Sequence, residues 1–157
     1  MAETTFKFRQ YESEEDLPDM IALIEKDLSE PYSVFTYRYF VSPWPQLAEL
    51  CFMKDRLVGV VVCKADNHKS GTKRGYIGML AVAEDCRGHG IARTLVETII
   101  NRMKEMGLDE CVLEAEITNQ AALGFYRKLG FVRTKRLRKY YLTGRDAFRL
   151  KLLLNSY

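Results

Sequence analysis

The sequence contains no long hydrophobic run and no secretory signal. A membrane-spanning helix needs about 20 consecutive apolar residues, and no stretch of that length occurs in the 157 residues. The first residues, Met-Ala-Glu-Thr-Thr-Phe-Lys, lack the apolar core of a signal peptide. We therefore expect an intracellular, cytoplasmic protein that does not insert into membranes.

Cysteine and histidine are also scarce, with four and two residues respectively. No two cysteines have the Cys-x-x-Cys spacing of zinc and redox sites, and three of them lie in apolar, strand-like segments. We expect reduced, mostly buried thiols and no metal site. The residues concerned are Cys51, Cys63, Cys86, Cys111, His68 and His89.

The composition is that of an ordinary globular domain. Apolar residues make up 47% and charged residues 29% of the chain, which excludes an intrinsically disordered protein. The net charge of +3 is compatible with an anionic ligand but does not require one. No repeat, low-complexity segment or linker occurs, so we expect residues 1–157 to form a single domain.

The spacing of apolar residues predicts a mixed α/β fold in the order β-α-α-β-β-β-α-β-α-β-β. This order is typical of a mixed, mostly antiparallel central sheet flanked by helices. The strand at 57–63 is apolar on both faces and should be central. The predicted segments are strand 5–11, a helix from Ser13 to the break at 29–33, helix 35–40, strands 50–53 and 57–63, a polar loop at 65–73, strand 76–82, a helix from Ile91 to a cap at Gly107, strand 111–117, a helix from Asn119 to Gly130, and strands 131–141 and 147–154.

The most informative stretch is residues 76–92, in which an apolar strand leads through a polar turn and two glycines into a helix. The first turn of a helix has free backbone N–H groups and the positive end of the macrodipole. Glycine lets a phosphate approach that backbone closely, and Arg87 adds a fixed positive charge. The stretch predicts a site for a phosphate-bearing ligand, although a plain helix entry with a surface arginine gives the same pattern.

A second polar signal is formed by Glu114 and Glu116, which alternate with apolar residues on the predicted strand 111–117. Residues i and i+2 of a strand share one face. The element order places this strand in the middle of the sheet, where a carboxylate must find a partner or open onto a cleft. A solvated strand face is the alternative interpretation.

With these segments in this order, the sequence resembles the GNAT acetyltransferase superfamily. The run Arg87-Gly88-His89-Gly90-Ile91-Ala92 fits the signature Arg/Gln-x-x-Gly-x-Gly/Ala of that superfamily. The segment that begins at Asn119 and continues through residues 122–131 is similar to its second hallmark. Either pattern alone would be weak evidence, whereas both in this order indicate the family strongly.

A more detailed resemblance, to the N-terminal acetyltransferases and among them to NatC catalytic subunits, covers nearly the whole chain. It is carried by residues 26–33, 36–40, 44–47, 114–119 and 138–142. The chain departs from the family pattern at His89, Ala92 and Ala115. None of these departures removes a group that the chemistry needs.

The resemblance implies acetyl-CoA as cosubstrate, without a metal. The loop would bind the pyrophosphate, and the strand before it would offer backbone groups to the pantetheine chain and the thioester. His89 would contribute its backbone, with a catalytic imidazole as the alternative, and Asn119 would cap the next helix, contact the cosubstrate, or do both. The implied cosubstrate-binding residues are Leu80, Ala81, Val82, Arg87, Gly88, His89, Gly90, Ile91, Ala92, Asn119 and Tyr126.

The resemblance also assigns the catalytic groups. Glu114 would act as the general base for the α-amino group, directly or through a water, and Tyr126 would protonate the departing thiolate. Glu30 is a second candidate for contacting the amine, and Tyr126 could instead be a core aromatic. No covalent enzyme intermediate is required.

The implied peptide cleft lies between the break after the first helix and the last hairpin. Its apolar and aromatic character suits an N-terminal Met followed by Leu, Ile or Phe. Tyrosines from the hairpin would disfavour an internal lysine, which must enter from both sides. The implied substrate-binding residues are Leu28, Glu30, Pro31, Tyr32, Tyr76, Met79, Tyr140 and Tyr141.

The sequence therefore predicts an N-terminal α-amino acetyltransferase of the NatC type. The resemblance implies a large auxiliary subunit, a small Sm-like subunit and the ribosome as partners. An acetyltransferase for lysine side chains or small amines, and a CoA-binding module without turnover, are the alternatives. A basic run comprises Lys135, Arg136, Arg138 and Lys139. We interpret it as an exposed strand face, with docking to ribosomal RNA or to an acidic partner as the alternative. We expect no sequence-specific nucleic-acid binding.

Overall fold

The structure is a computed structural model that describes residues 5–26, 32–138, 140 and 144–155. The predicted α/β class and the predicted order of helices and strands are confirmed. The helices of the described part are α1 (Leu17–Glu25), α2 (Val34–Val41), α3 (Ile91–Glu105) and α4 (Gln120–Lys128). The strands are β1 (Phe6–Gln10), β2 (Ala48–Met53), β3 (Arg56–Asn67), β4 (Lys73–Val82), β5 (Glu110–Glu116), β6 (Val132–Leu137) and β7 (Ala147–Leu153).

These strands form one sheet in the order β1-β2-β3-β4-β5-β7-β6. All neighbours are antiparallel except β4 and β5, which are parallel. The predicted central position of β3 is confirmed, and Val58, Val60, Val61 and Val62 are 0% exposed. Burying each such side chain contributes about 1.5–3 kcal/mol, so β3 anchors the core. β5 also lies inside the sheet, as predicted.

The parallel pairing of β4 and β5 is short. Residues Arg74, Gly75 and Tyr76 pair with residues 110–112 of β5. Beyond Tyr76, β4 continues to Val82 paired with β3 on its other side. The two parallel strands therefore diverge and leave a gap between their carboxyl ends.

A bulge in β4 fixes which side chains share a face. Cys63 of β3 is opposite Ile77, whereas Val62 is opposite Met79, so Gly78 is an extra residue in β4. A bulge of this kind shifts the alternation of side chains by one position. Met79 consequently faces the same side of the sheet as Tyr76, three positions before it. In a strand without a bulge, these two side chains would lie on opposite faces.

That side of the sheet is covered by α2. The ring of Tyr76 stacks on Phe40 at a centroid distance of 6.4 Å, and a Cβ at Gly78 would lie 2.6 Å from the same ring. The opposite side is covered by α3, because a Cβ at Gly59 would lie 2.7 Å from Ile91. The sheet thus separates an α2 face from an α3 face.

Several predicted boundaries are wrong. β6 ends at Leu137, whereas the prediction extends this strand to residue 141. β3 and β4 continue into the polar segment 65–73 from both sides, and their pairing extends to Asn67 and Lys73. Polar residues remain in strand here because the hairpin projects beyond the core, where its backbone still pairs while its side chains meet water. An ion pair of 3.1 Å between Lys64 and Asp66 lies on this projecting part.

The first helix begins later than predicted. Ser13 precedes a short 3-10 turn, Glu14–Asp16, without capping it through its side chain, and α1 begins at Leu17. Pro18 stands in the first turn of α1, where a proline is favoured. The Asp16 carboxylate forms a two-pronged pair with Arg9, at 3.0 and 2.6 Å. Leu28, expected on the apolar face of this helix, lies outside the described residues.

All four cysteines are buried free thiols, so their predicted burial is confirmed. In the described part of the chain, histidine, cysteine and acidic side chains form no group of three that could hold a metal ion. A bilayer crossing would need a longer and more apolar helix than any that the described residues form.

We expect Gly78→Ala to lower the free energy of unfolding by about 1–3 kcal/mol, the usual cost of overpacking a core. The added methyl would overlap the Phe40 ring. Gly124→Ala is the matched control, because a Cβ there meets nothing within 4 Å inside a helix, and it should be neutral or stabilising by up to about 1 kcal/mol. Urea unfolding measures both. Equal stability of the two variants would contradict the described packing at the bulge.

Candidate active site

The loop between β4 and α3 has the backbone that the glycine pattern predicts. Gly88 has φ 84° and Gly90, the N-cap of α3, has φ 77°. A Cβ at either position would meet nothing within 4 Å, so the left-handed conformation, and not lack of space, favours glycine here. Arg87 is extended and its Nε donates to the Val82 carbonyl at 3.3 Å. The loop therefore presents the first turn of α3 to the solvent side.

His89 is fastened to its own loop. Its Nδ1 lies 3.0 Å from the Cys86 carbonyl oxygen, and its ring meets Phe6 edge-on at 5.5 Å. These contacts suit the interpretation of His89 as a loop residue that contributes its backbone.

The loop and α4 line one cavity of about 330 Å³. Its walls are mostly apolar, and the cations Arg87, Arg93 and Lys128 stand at its edge. A cavity with this lining suits a ligand that combines anionic groups with an apolar portion. The two segments that resemble family hallmarks therefore meet in space. The lining residues are Val82, Cys86, Arg87, Gly88, Gly90, Ile91, Ala92, Arg93, Phe125, Lys128 and Leu129.

Asn119 caps α4, as one of its two predicted roles requires. Its Oδ1 accepts a hydrogen bond from the Ala122 N–H at 3.1 Å. Its contact with a cosubstrate stays a prediction. Leu80, Ala81 and Val82 lie on the part of β4 that pairs with β3 and has diverged from β5, so their strand edge lines the gap.

Tyr126 is buried beneath the cavity on the α3 face. Its ring packs edge-on against Phe125 at 5.0 Å and Phe131 at 5.3 Å. Burial raises the pKa of its hydroxyl, and the nearby thiols of Cys63 and Cys111 raise it further. Tyr126 therefore packs as a core aromatic, and its hydroxyl, which stays neutral, can still donate a proton.

Glu114 lies on the other face of the sheet, where register places it with Tyr76 and Val112. Its side chain is only 5% exposed, so a solvated strand face is wrong for this residue. Arg149, directly opposite on β7, donates to Glu114 Oε1 from Nε at 3.2 Å and from Nη2 at 2.8 Å. Among the described residues, Oε2 is buried without a hydrogen-bond partner.

Two phenols stand beside this carboxylate. Burial raises the pKa of Tyr76, and Glu114, first as a hydrogen-bond acceptor and then as a charge, raises it further. Tyr140, which is 46% exposed, has its pKa raised by burial and then by Glu114. Met79 lies on this face as well.

Glu116, in contrast, belongs to the surface. It accepts hydrogen bonds from Thr118 and from Arg145, which lies 2.8 Å away. The Thr118 contact, followed by that of Arg145, lowers the pKa of Glu116. Of the two glutamates on the predicted strand face, only Glu114 therefore joins the site. Four predicted substrate residues, Leu28, Glu30, Pro31 and Tyr141, lie outside the described residues, as does Lys139 of the basic run.

Sequence reasoning missed several residues of this region. Arg149 was not identified because its partner follows from strand register, which no local pattern reveals. Arg93 directly follows the first hallmark segment and Lys128 lies near the end of the second, and their charge was the available signal. Lys64 was also missed, and its Nζ lies 5.2 Å from the Tyr39 ring and 5.6 Å from the Tyr76 ring.

Comparison with known sequences identifies the family. The model of the acetyltransferase (GNAT) family matches residues 14–131. N-alpha-acetyltransferase 30 of Homo sapiens is 55% identical over 150 residues, which are 96% of this chain and 41% of that protein. N-alpha-acetyltransferase MAK3 of Arabidopsis thaliana is 52% identical over 151 residues, which are 96% of this chain and 79% of that protein. The chain thus spans less than half the length of its human relative.

Comparison with solved structures agrees. A chain in the NatC complex bound to Gag peptide and CoA has a TM-score of 0.91 and 43% identity, covering 96% of this chain and 99% of that chain. Naa50 of Arabidopsis thaliana in complex with a bisubstrate analogue shares the fold, with a TM-score of 0.84, 23% identity and coverage of 97% and 99%. The sequence, the fold and the converging hallmark segments lead to one conclusion: this chain belongs to the acetyltransferase (GNAT) family, among its N-alpha-acetyltransferases.

Proposed function

We propose that the chain transfers acetyl from acetyl-CoA directly to the α-amino group of protein N-termini that begin with Met and a hydrophobic residue. The observation that carries this proposal is the placement of a cavity and a carboxylate on opposite faces of the sheet at the same gap. The cavity of about 330 Å³ lies at the glycine loop, and Glu114 lies beside the diverging strands.

The residues at the cavity fit acetyl-CoA. The backbone of Gly88 and Gly90 and the first turn of α3 would hold the pyrophosphate, with Arg87, Arg93 and Lys128 as counter-charges. The β4 edge at Leu80–Val82 would pair with the amides of the pantetheine chain. When bound there, the cosubstrate supplies an activated thioester carbonyl.

Glu114 would act as the general base. The substrate α-ammonium gives one proton to the carboxylate, and the neutral nitrogen then forms its bond to the acetyl carbonyl carbon. The carbon–sulfur bond breaks, and the thiolate receives a proton through the Tyr126 hydroxyl, which balances the second proton lost by the nitrogen. Glu114 finally returns its proton to water. Tyr76 and Tyr140 would hold the peptide next to the carboxylate through their hydroxyls.

Substrate and partners of the NatC type are part of the same proposal. Support comes from the relatives named N-alpha-acetyltransferase 30 and MAK3 and from the similarity to a chain of the NatC complex bound to Gag peptide. A large auxiliary subunit, a small Sm-like subunit, the ribosome and a cytoplasmic location follow from that resemblance. An acetyltransferase for lysine side chains or small amines, and a CoA-binding module without turnover, are the competing functions.

The role of Glu114 is tested by Glu114→Gln, with Glu116→Gln as the matched control two residues along the same strand face. Loss of a general base lowers kcat by about 10²–10⁴-fold, and we expect this for Glu114→Gln with acetyl-CoA binding retained. Glu116→Gln should keep its kcat, since that side chain pairs with Arg145 at the surface. Steady-state kinetics and isothermal titration measure both. Unchanged turnover in Glu114→Gln would exclude Glu114 as the base.

The cosubstrate loop is tested by Gly90→Asp. A carboxylate a few ångströms from the pyrophosphate should weaken acetyl-CoA binding by about 10- to 100-fold through like-charge repulsion. Gly71→Asp is the control, because Gly71 has a similar φ of 85° and equally open surroundings at the β3–β4 hairpin. Isothermal titration with CoA should find wild-type affinity for Gly71→Asp. Equal affinities for the two variants would refute this placement of the loop site.

Substrate class is tested with peptides that begin Met-Leu, Met-Ile or Met-Phe, against an internal-lysine peptide and a peptide that begins Ser-Glu. We expect acetylation of the Met-hydrophobic peptides at least about tenfold faster than of the controls, because the site is apolar and aromatic. Mass spectrometry of the products locates the acetyl group. Modification of lysine alone would favour the lysine acetyltransferase, and CoA binding without any product would favour the binding module.

A further inference from the structure

Arg149 contacts Glu114 in an unsymmetrical way. Its Nε and Nη2 both donate to Oε1, and among the described residues no group donates to Oε2. The Arg149 side chain is 27% exposed, whereas that of Glu114 is 5% exposed. The guanidinium therefore holds one oxygen from the β7 side and leaves the other oxygen without a cation, close to the Tyr76 hydroxyl.

Three other carboxylates of the chain are held at both oxygens. Arg56 reaches both oxygens of Asp85, at 2.7 and 2.8 Å, and Arg9 reaches both oxygens of Asp16. Fork-to-fork pairing of this kind adds geometric specificity to the attraction between the charges. Glu110, also buried, uses one oxygen for Arg74 and the other for Lys151. These three pairs leave neither carboxylate oxygen without a cation.

One further pair tests this contrast. Arg136 contacts a single oxygen of Asp146 through both Nε and Nη2, at 2.8 Å each. That carboxylate is 18% exposed, so water reaches it more readily than it reaches Glu114. A buried oxygen without a partner costs stability unless a ligand uses it. Glu49 is as deeply buried and also meets an arginine at a single oxygen, since Arg102 Nη2 lies 2.9 Å from its Oε1 and its side chain is 5% exposed. Glu114 differs from it because its second oxygen is buried beside Tyr76 and Tyr140, in the candidate site.

We propose that Arg149 is a positioning residue: it holds Glu114 in the orientation in which Oε2 is the atom that accepts the proton of the substrate ammonium. The inference rests on the proposed role of Glu114 as base. The described groups that face Glu114 are Arg149 from β7, Tyr76 from β4 and Tyr140 from the segment after β6. Of these described groups Arg149 is the one cation, and both of its hydrogen bonds go to Oε1.

The test measures kcat and KM of the full chain with acetyl-CoA and a Met-Leu peptide. Arg149→Gln should lower kcat at pH 7 by about 10- to 100-fold, within the range of a general base, because the carboxylate is no longer held in one orientation. KM for acetyl-CoA should not change. Arg145→Gln, which removes the arginine that pairs with Glu116 from the segment before β7, is the matched control and should keep the wild-type kcat.

Two further variants separate orientation from folding. Arg149→Lys keeps the charge but cannot place two guanidinium donors on Oε1, so kcat should fall severalfold. Adding Arg149→Gln to Glu114→Gln should lower kcat little further, because residues that act through one group are not additive. A multiplicative loss in the double variant, or wild-type kcat in Arg149→Lys, would overturn the inference.

The possible failures can be told apart. Full turnover in Glu114→Gln would show that Glu114 is not the base, and it would exclude the positioning role of Arg149 as well. An inactive Glu114→Gln combined with wild-type kcat in Arg149→Gln would refute only the positioning role. A lower kcat in Arg149→Gln that comes with a changed KM for acetyl-CoA would indicate a structural role for the arginine.

Discussion

The short parallel pairing of β4 and β5 is the constraint on which the candidate site depends. Pairing stops after Tyr76, while antiparallel β3 keeps β4 in the sheet as far as Val82. Backbone groups in a sheet normally find partners on both sides. Within the described residues, the end of β4 has a strand partner on one side only, which gives an extended ligand an edge to pair with.

The gap also divides the chemistry between two faces. Tyr126 and the glycine-loop cavity lie on the α3 face, and Glu114 lies with Tyr76 on the α2 face. A sheet without a gap would keep these groups apart, because side chains on opposite faces do not meet. The bulge at Gly78 adds Met79 to the α2 face. One local interruption of strand pairing and one extra residue therefore assemble the site.

Much of this arrangement could be predicted because its causes are local. The glycines at 88 and 90, the cap at Asn119 and the i, i+2 glutamates all follow from neighbouring residues in the chain. The Gly78 bulge and the Glu114–Arg149 pair depend on the register between strands that are distant in the chain. That register cannot be inferred from neighbouring residues. The late start of α1 was missed because Asp16 pairs with Arg9 of another element. Pro18 was a local signal that could have corrected it.

On the proposed mechanism, the acidity of the substrate ammonium favours N-termini over lysine. An α-ammonium has an ordinary pKa near 7.7–8.0 and a lysine ammonium one near 10.4. Taking the proton from lysine is therefore harder by about 2.5 units, which is a factor of about 300, whichever base accepts the proton. The proton-transfer step can thus discriminate by chemistry before the aromatic side chains of the cleft discriminate by shape.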